Sequence, residues 1–467
     1  MTVAARESAS CTGVQGLGES SGSARDAEYP ARAYAWFVMV VFFLAALLSY
    51  TDRLILNLLV DPIRQELQIT DTGVSLLQGA AFAVLYAMLG LPLGRFADTH
   101  SRRNLILCGV LVWSAATAWC GFAGSFTELF IARIGVGMGE AALAPAVLSM
   151  LPDYFPPERR ATAIGVFLAG MVAGAGTATM VGGVLLDAAQ SGHFAFLPII
   201  GSLPPWRAVL ALLALPGLLI AALILLVREP VRRERLPGSE HGTSLNVALA
   251  YLRRHFSTFA LIMSAFALLQ VVDYGVNAWL PALLMRRFQM TPAEVGGSVG
   301  AIAIGCGVFG ALIGGVVADT LQRRGFMDAK VRVAALGAIL LIPLLMFPIL
   351  PSASSVMLLF AAYALVMATL TPAGLAAVQD LAPSELRGLI VALQAFVYTL
   401  LGLGCGPTLV AAVTDHVVRD SAKVGVAITI VALPAALLSI VLLWRALPAF
   451  RRTRAQLAGV QEGCRLP

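Results

Sequence analysis

The chain has 467 residues, 59% of them hydrophobic and only 12% charged. Soluble domains carry about 25% charged residues, so this composition excludes a soluble protein and describes a polytopic membrane protein. The formal net charge of +6 comes from basic residues in short breaks between apolar runs, a topology signal that excludes nucleic acid as a partner and leaves the lipid bilayer as the surroundings.

Residues 1–32 are rich in Ser, Gly and Ala, carry Glu7, Glu19, Asp26 and Glu28, and lack the apolar run of a signal peptide. They predict a disordered cytoplasmic tail. A membrane span needs about 20 largely apolar residues. Twelve such runs follow, near 34–60, 71–97, 105–124, 127–151, 161–187, 206–227, 258–287, 293–319, 331–350, 354–379, 387–415 and 422–446. The break from Arg228 to Arg254 is the most basic and holds Pro230, Pro237, Gly238 and Gly242. It divides the chain into an N-terminal six-helix bundle (33–228), a cytoplasmic linker (229–257), a C-terminal six-helix bundle (258–447) and a cytoplasmic tail (448–467). With both termini inside, 24 basic residues fall on the cytoplasmic side and 6 outside, which fixes the predicted orientation.

The first and fourth spans carry charge at lipid depth: Asp52 and Arg53 in one, Arg133 and Glu140 in the other. Such a residue costs about 2.5–3.5 kcal/mol near the bilayer centre and normally faces a bundle interior. Arg133 and Glu140 are two helical turns apart and share a face, whereas adjacent Asp52 and Arg53 must diverge by about 100°. A buried carboxylate gains a proton when a neighbouring guanidinium withdraws. Glu140 is therefore the expected principal proton site and Asp52 the second, with Arg53 and Arg133 as charge partners or contacts for a substrate head group. A permanent ion network that only fixes helix packing is the competing reading.

The second span closes with Gly94-xxx-Asp98-xxx-Arg102-Arg103, and the eighth repeats the pattern as Gly315-xxx-Asp319-xxx-Arg323-Arg324. Asp153-xx-Pro156-x-Glu158-x-Arg160 after the fourth span returns as Asp380-xx-Pro383-x-Glu385-x-Arg387 after the tenth. The two pairs map one half onto the other. Glycine permits close helix approach, and the arginines can reach carboxylates or helix ends on the neighbouring bundle, so Gly94, Asp98, Arg102, Arg103, Gly315, Asp319, Arg323 and Arg324 are expected to gate a conformational change. In the seventh span Gln270, Asp273, Tyr274 and Asn277 form one polar stripe. With Tyr50, Gln394 and Tyr398 they are the expected substrate cavity. Pro372 and Pro407 can kink the tenth and eleventh spans.

These features together resemble the major facilitator superfamily: two six-helix halves, a basic linker, Gly94-Arg-Phe-Ala-Asp98-Thr-His-Ser-Arg102-Arg103 after the second span, and Arg133-Ile-Gly135-Val-Gly137-Met-Gly139 in the fourth. Gly170-xxx-Gly174 lacks the proline of that superfamily's antiporter motif, since Ala175 stands there, and antiport stays open. Tyr50-Thr-Asp52-Arg53 with Gly137-Met-Gly139-Glu140-Ala141 is similar to the Spinster branch. The resemblance implies an all-α membrane protein of twelve helices in two pseudo-symmetric bundles, working as a monomer and moving amphiphiles or lipid-like molecules with protons as the coupled partner. A proton-coupled symporter of small organic anions, aromatic or sugar acids, is the alternative.

No phosphate-binding loop or HExxH occurs, and the five histidines lie in loops or at span ends. An enzyme is not expected, nor a cofactor. The six cysteines show no metal-type spacing, so no metal site is expected. Thirty of the 32 basic residues are Arg, which hints at a GC-rich bacterial genome and a bacterial cytoplasmic membrane.

Overall fold

The computed structural model describes residues 29–232, 245–383 and 386–463. Most of the tail expected to be disordered, Cys11, Cys464 and Glu385 lie outside the described residues. Twelve helices are long and apolar enough to cross a membrane: Arg32–Asn57, Asp71–Gly90, Arg102–Phe122, Phe126–Tyr154, Pro157–Gln190, Pro205–Leu225, Phe256–Phe288, Pro292–Arg323, Ala329–Ile349, Ala353–Asp380, Leu389–Val418 and Ser421–Leu457. An even number of crossings puts both ends of the described chain on one face, here the terminal face; the opposite one is the far face. The expected boundaries shift in two places. The linker region contains a helix, Leu245–Arg254, and the last helix runs unbroken from Val424 to Gly463, past the limit drawn at 447. Ion pairs from Arg451 to Asp328 (2.7 Å) and Arg454 to Asp380 (3.6 Å) tie that extension to the C-terminal half.

Helix starts follow local capping chemistry. Ser101 and Ser125 accept hydrogen bonds from the backbone N–H of Asn104 and Glu128, and Thr291 with Glu294 forms a reciprocal capping box, satisfying donors that a first turn leaves free. Interruptions in the second, fourth and eleventh spans bear on the site. The second breaks at Gly79, between helices Asp71–Gln78 and Ala80–Thr99. The fourth breaks at Ala141 and Ala142, just after Glu140, because Pro145 has no N–H to give the carbonyl four residues earlier. The eleventh carries π-helical segments at Thr399–Leu403 and Val413–Val418 on either side of Pro407, whose carbonyl accepts from Trp279 Nε1 at 2.9 Å. Pro372 sits inside a continuous helix, Ala353–Asp380.

The two halves meet at the far face and part toward the terminal face. The fifth and eighth spans touch where a side chain on Gly183 would collide with the Pro292 carbonyl, and remain in contact at Gly307, where a Cβ would lie 3.4 Å from Val172. Nearer the terminal face, a Cβ on Gly165 or Gly315 would meet nothing within 4 Å. The second and eleventh spans repeat this: Gly79 abuts the Leu403 carbonyl, whereas Gly90 faces open space.

Candidate functional site

The break in the fourth span delivers Glu140 to the N-terminal bundle interior at 1% exposure. Its Oε2 accepts hydrogen bonds from Arg53 Nη2 at 2.8 Å and Ser49 Oγ at 2.7 Å, while Oε1 has no partner among the described residues. The Arg53 guanidinium lies over three rings, 4.6 Å from the centroid of Tyr50, 4.4 Å from Phe82 and 4.5 Å from Tyr86. Aromatic faces attract a desolvated cation, so the box holds Arg53 in place beside its carboxylate.

Asp52 turns away from Arg53, as adjacent helical residues must. Its Oδ2 accepts a hydrogen bond from Thr117 of the third span, and its Oδ1 is buried without a partner among the described residues. Arg133 departs from its expected role. Among the described residues it bonds to no carboxylate: its N–H groups reach the carbonyls of Leu77, Asp52 and Arg53, each at 3.3 Å. Two of those carbonyls belong to the end of the first helix at Leu54 and one to the segment just before the Gly79 break. A planar five-donor fork suits that geometry, so Arg133 fastens the broken ends of two spans.

The polar stripe of the seventh span is also resolved. Asn277 Nδ2 and Tyr363 Oη donate to Asp273 Oδ1 at 2.8 and 3.3 Å. The Asn277 carbonyl accepts from Asn57 of the other half at 3.4 Å, and Asn57 Oδ1 accepts from Gln78 at 3.2 Å. This chain of polar groups bridges the halves. Gln270 and Tyr274 are half-buried, and both line the close approach of Gly402. Gln394 corrects the expected cavity wall: it is 1% exposed and ties the Gly374 carbonyl to the Tyr398 hydroxyl, at 3.3 and 2.8 Å. It serves helix packing in this conformation, and Tyr398 packs 6.4 Å from Phe266.

The repeated motif does not bridge the bundles as expected. Arg102 pairs with Asp153 at 2.6 Å and Glu229 at 2.9 Å, and Arg103 Nη2 donates to the Leu225 carbonyl at 2.8 Å, all on the N-terminal side. Burial raises the Glu229 pKa, but hydrogen bonds from the Arg103 N–H, Arg102 and Ser101 outweigh it and hold the carboxyl below its ordinary value. In the second copy Asp319, Arg323 and Arg324 are exposed and form no ion pair among the described residues, because Lys330 occupies Asp380 at 2.8 Å. Neither motif glycine makes a tight contact: a Cβ on Gly94 would meet only Pro145, at 3.8 Å, and one on Gly315 nothing. Asp98 is exposed, and its carbonyl accepts from Arg232 at the start of the linker.

The halves are clasped at the far face by residues outside the expected sites. Arg286 donates to Asp61 at 2.8 Å and to both oxygens of Asp71 at 2.8 Å, and Asp415 accepts from the backbone and hydroxyl of Thr72, both at 2.7 Å. Beside the clasp opens a cavity of about 560 Å³ lined by residues that include Asp61, Glu66, Met285 and Pro292. The acidic pair Asp61 and Asp71 opposite a basic seventh-span end was the available signal in the sequence; Ser49, Thr117 and Tyr86 gave none, since single hydroxyls and rings are common in membrane helices.

The family model described as Major Facilitator Superfamily matches residues 42–407. The chain belongs to that superfamily. A protein described as an MFS-type efflux pump of Mycolicibacterium smegmatis is 28% identical over 421 residues, covering 90% of this chain and 94% of the relative. The cis,cis-muconate transport protein of Acinetobacter baylyi is 26% identical, covering 68% of this chain and 73% of the relative. The fold is similar to a crystal structure of a bacterial homologue of the human lysosomal transporter Spinster in an inward-facing, unoccupied conformation, with a TM-score of 0.76, 23% identity, and coverage of 91% of this chain and 98% of that one. This superfamily member is thus a multi-pass transporter of small molecules.

Proposed function

We propose that this chain is a proton-coupled secondary transporter carrying an amphiphilic or lipid-like molecule by alternating access, with Glu140 as the principal proton site and Asp52 as the second. The observation that carries the reading is the state of Glu140, which has one oxygen committed to Arg53 and Ser49 and the other without a partner. A buried carboxylate stays ionised beside a guanidinium and takes a proton when that guanidinium moves off. Arg133, on the same helix as Glu140, pins the backbone of Arg53, so a swing of the Arg53 side chain during the transport cycle changes the separation and loads or releases a proton. Arg133, fastened to three carbonyls, is the fixed frame around which this happens. The terminal face, with its excess of basic residues, is cytoplasmic in this reading, both termini lie inside the cell membrane of a bacterium, and the conformation is open inward.

Purified protein in vesicles, given labelled lysophospholipid and a pH gradient, tests the assignment. Glu140→Gln should lose gradient-driven uptake and keep gradient-independent exchange; uptake that still follows the gradient rejects Glu140 as the proton site. The muconate relative favours a second reading, symport of small organic anions. Competition of lysophospholipid against muconate on the same vesicles decides between them.

A further inference from the structure

We infer that Asp273 anchors the cargo and selects a lipophilic organic cation, whose positive centre sits against Oδ2. The inference rests on the transporter reading above and adds the charge of the cargo to it. Asp273 lies near the middle of the 33-residue helix Phe256–Phe288. The nearest basic residue on that helix, Arg286, is about 20 Å away along the axis at 1.5 Å per residue. Both hydrogen bonds to the Asp273 carboxylate come from neutral donors, Asn277 and Tyr363, and both end on Oδ1. Oδ2 accepts nothing from the described residues.

The cations of the bundle interior are already engaged. Arg53 is held by Glu140, Arg133 by three carbonyls, and Arg286 by Asp61 and Asp71. A carboxylate at membrane depth with no counter-charge carries a desolvation penalty of several kcal/mol. A cation arriving with the cargo removes it. Accessibility separates Asp273 from Asp52, whose carboxylate also accepts only from a neutral donor: the free oxygen of Asp52 is sealed from its surroundings, whereas Oδ2 of Asp273 is not among the buried unpartnered atoms and the residue is half-buried. Oδ2 of Asp273 thus keeps exposed surface, and the free oxygen of Asp52 keeps none. Occupancy would also be felt across the molecule, because the Asn277 that holds Oδ1 offers its carbonyl to Asn57 of the other half.

Tetraphenylphosphonium and tetraphenylborate have the same shape and opposite charge, so their binding to the full chain in nanodiscs, measured against empty nanodiscs, isolates the charge term. Wild type should prefer the phosphonium. Asp273→Asn should weaken phosphonium binding by about tenfold or more, the worth of one charge-assisted contact, while tetraphenylborate binds at least as well as to wild type, which also shows that the variant is folded. Asp273→Glu, which keeps the charge, should retain the preference and decides the matter if D273N cannot be isolated. A wild type without cation preference, a D273N variant that binds phosphonium normally, or an equal loss of both ions overturns the inference. The two readings fail separately: the proton assignment is read in the pH-gradient response of transport, whereas the cargo charge is read in equilibrium binding of the two ions with no gradient present.

Discussion

Replacing Arg286 by Ala should open the far face. The guanidinium is 8% exposed and spans the halves, holding Asp71 at 0% and Asp61 at 23% exposure. Removing one partner of a fully buried ion pair costs about 3–5 kcal/mol, whereas an exposed pair is worth about 0.2–1 kcal/mol. Asp61 is partly solvated, and Asp71 keeps Arg64 at 3.6 Å, so an intermediate figure of about 2–3 kcal/mol applies to the closed state. In the open state both carboxylates face water and lose little. The substitution therefore shifts the equilibrium between far-closed and far-open forms by a factor of about 30–150. Spin labels at the exposed positions Gln65 and Gln289, placed in a cysteine-free background, would report the distance across the far face. The variant should gain a longer-distance population, and R286K, which keeps a charge but not the fork, should fall between. A distance distribution identical to wild type in R286A would refute the clasp.

Arg133→Lys should destabilise the protein by about 2–3 kcal/mol, because a single ammonium cannot serve three diverging carbonyls; this is read as a lowered midpoint of thermal unfolding, and an unchanged midpoint contradicts the fastening role. Glu229 has a folded-state pKa below its unfolded one, so its contribution to stability is present above the unfolded carboxyl value of about 4.3 and fades as pH falls through the lower folded value. The unfolding midpoint of wild type should accordingly drop more steeply on acidification below that value than that of Glu229→Gln, and parallel curves would remove Glu229 from the account.

The number of spans, the two halves and the intramembrane charges of the first and fourth spans were legible because apolar length and rare charge are one-dimensional signals: a span needs a run of residues, and a charge in lipid stands out wherever it falls. The pairing of Glu140 was half legible. Two turns between Arg133 and Glu140 place them on one face, yet the helix break after Glu140 gives the carboxylate to Arg53, and Pro145, four residues beyond Ala141, was the sign of that break. The repeated Gly-Asp-Arg-Arg pattern misled for the opposite reason. Identical spacing fixes where side chains start, and it does not fix their partners, which here are Asp153 and Glu229 for one copy and, among the described residues, no ion-pair partner for the other.

By itself the sequence determined a twelve-span membrane protein with a duplicated plan and a charged interior in its first half, since hydropathy, periodicity and spacing are properties of the chain alone. Only the tertiary structure decided that Arg133 holds backbone, that Gln394 packs helices, that Asp273 keeps an open oxygen, and that Arg286 closes the far face. Each of those depends on which distant segments come within about 3 Å of one another, and hydrogen-bond energy falls away too steeply with distance and angle for spacing along the chain to specify it.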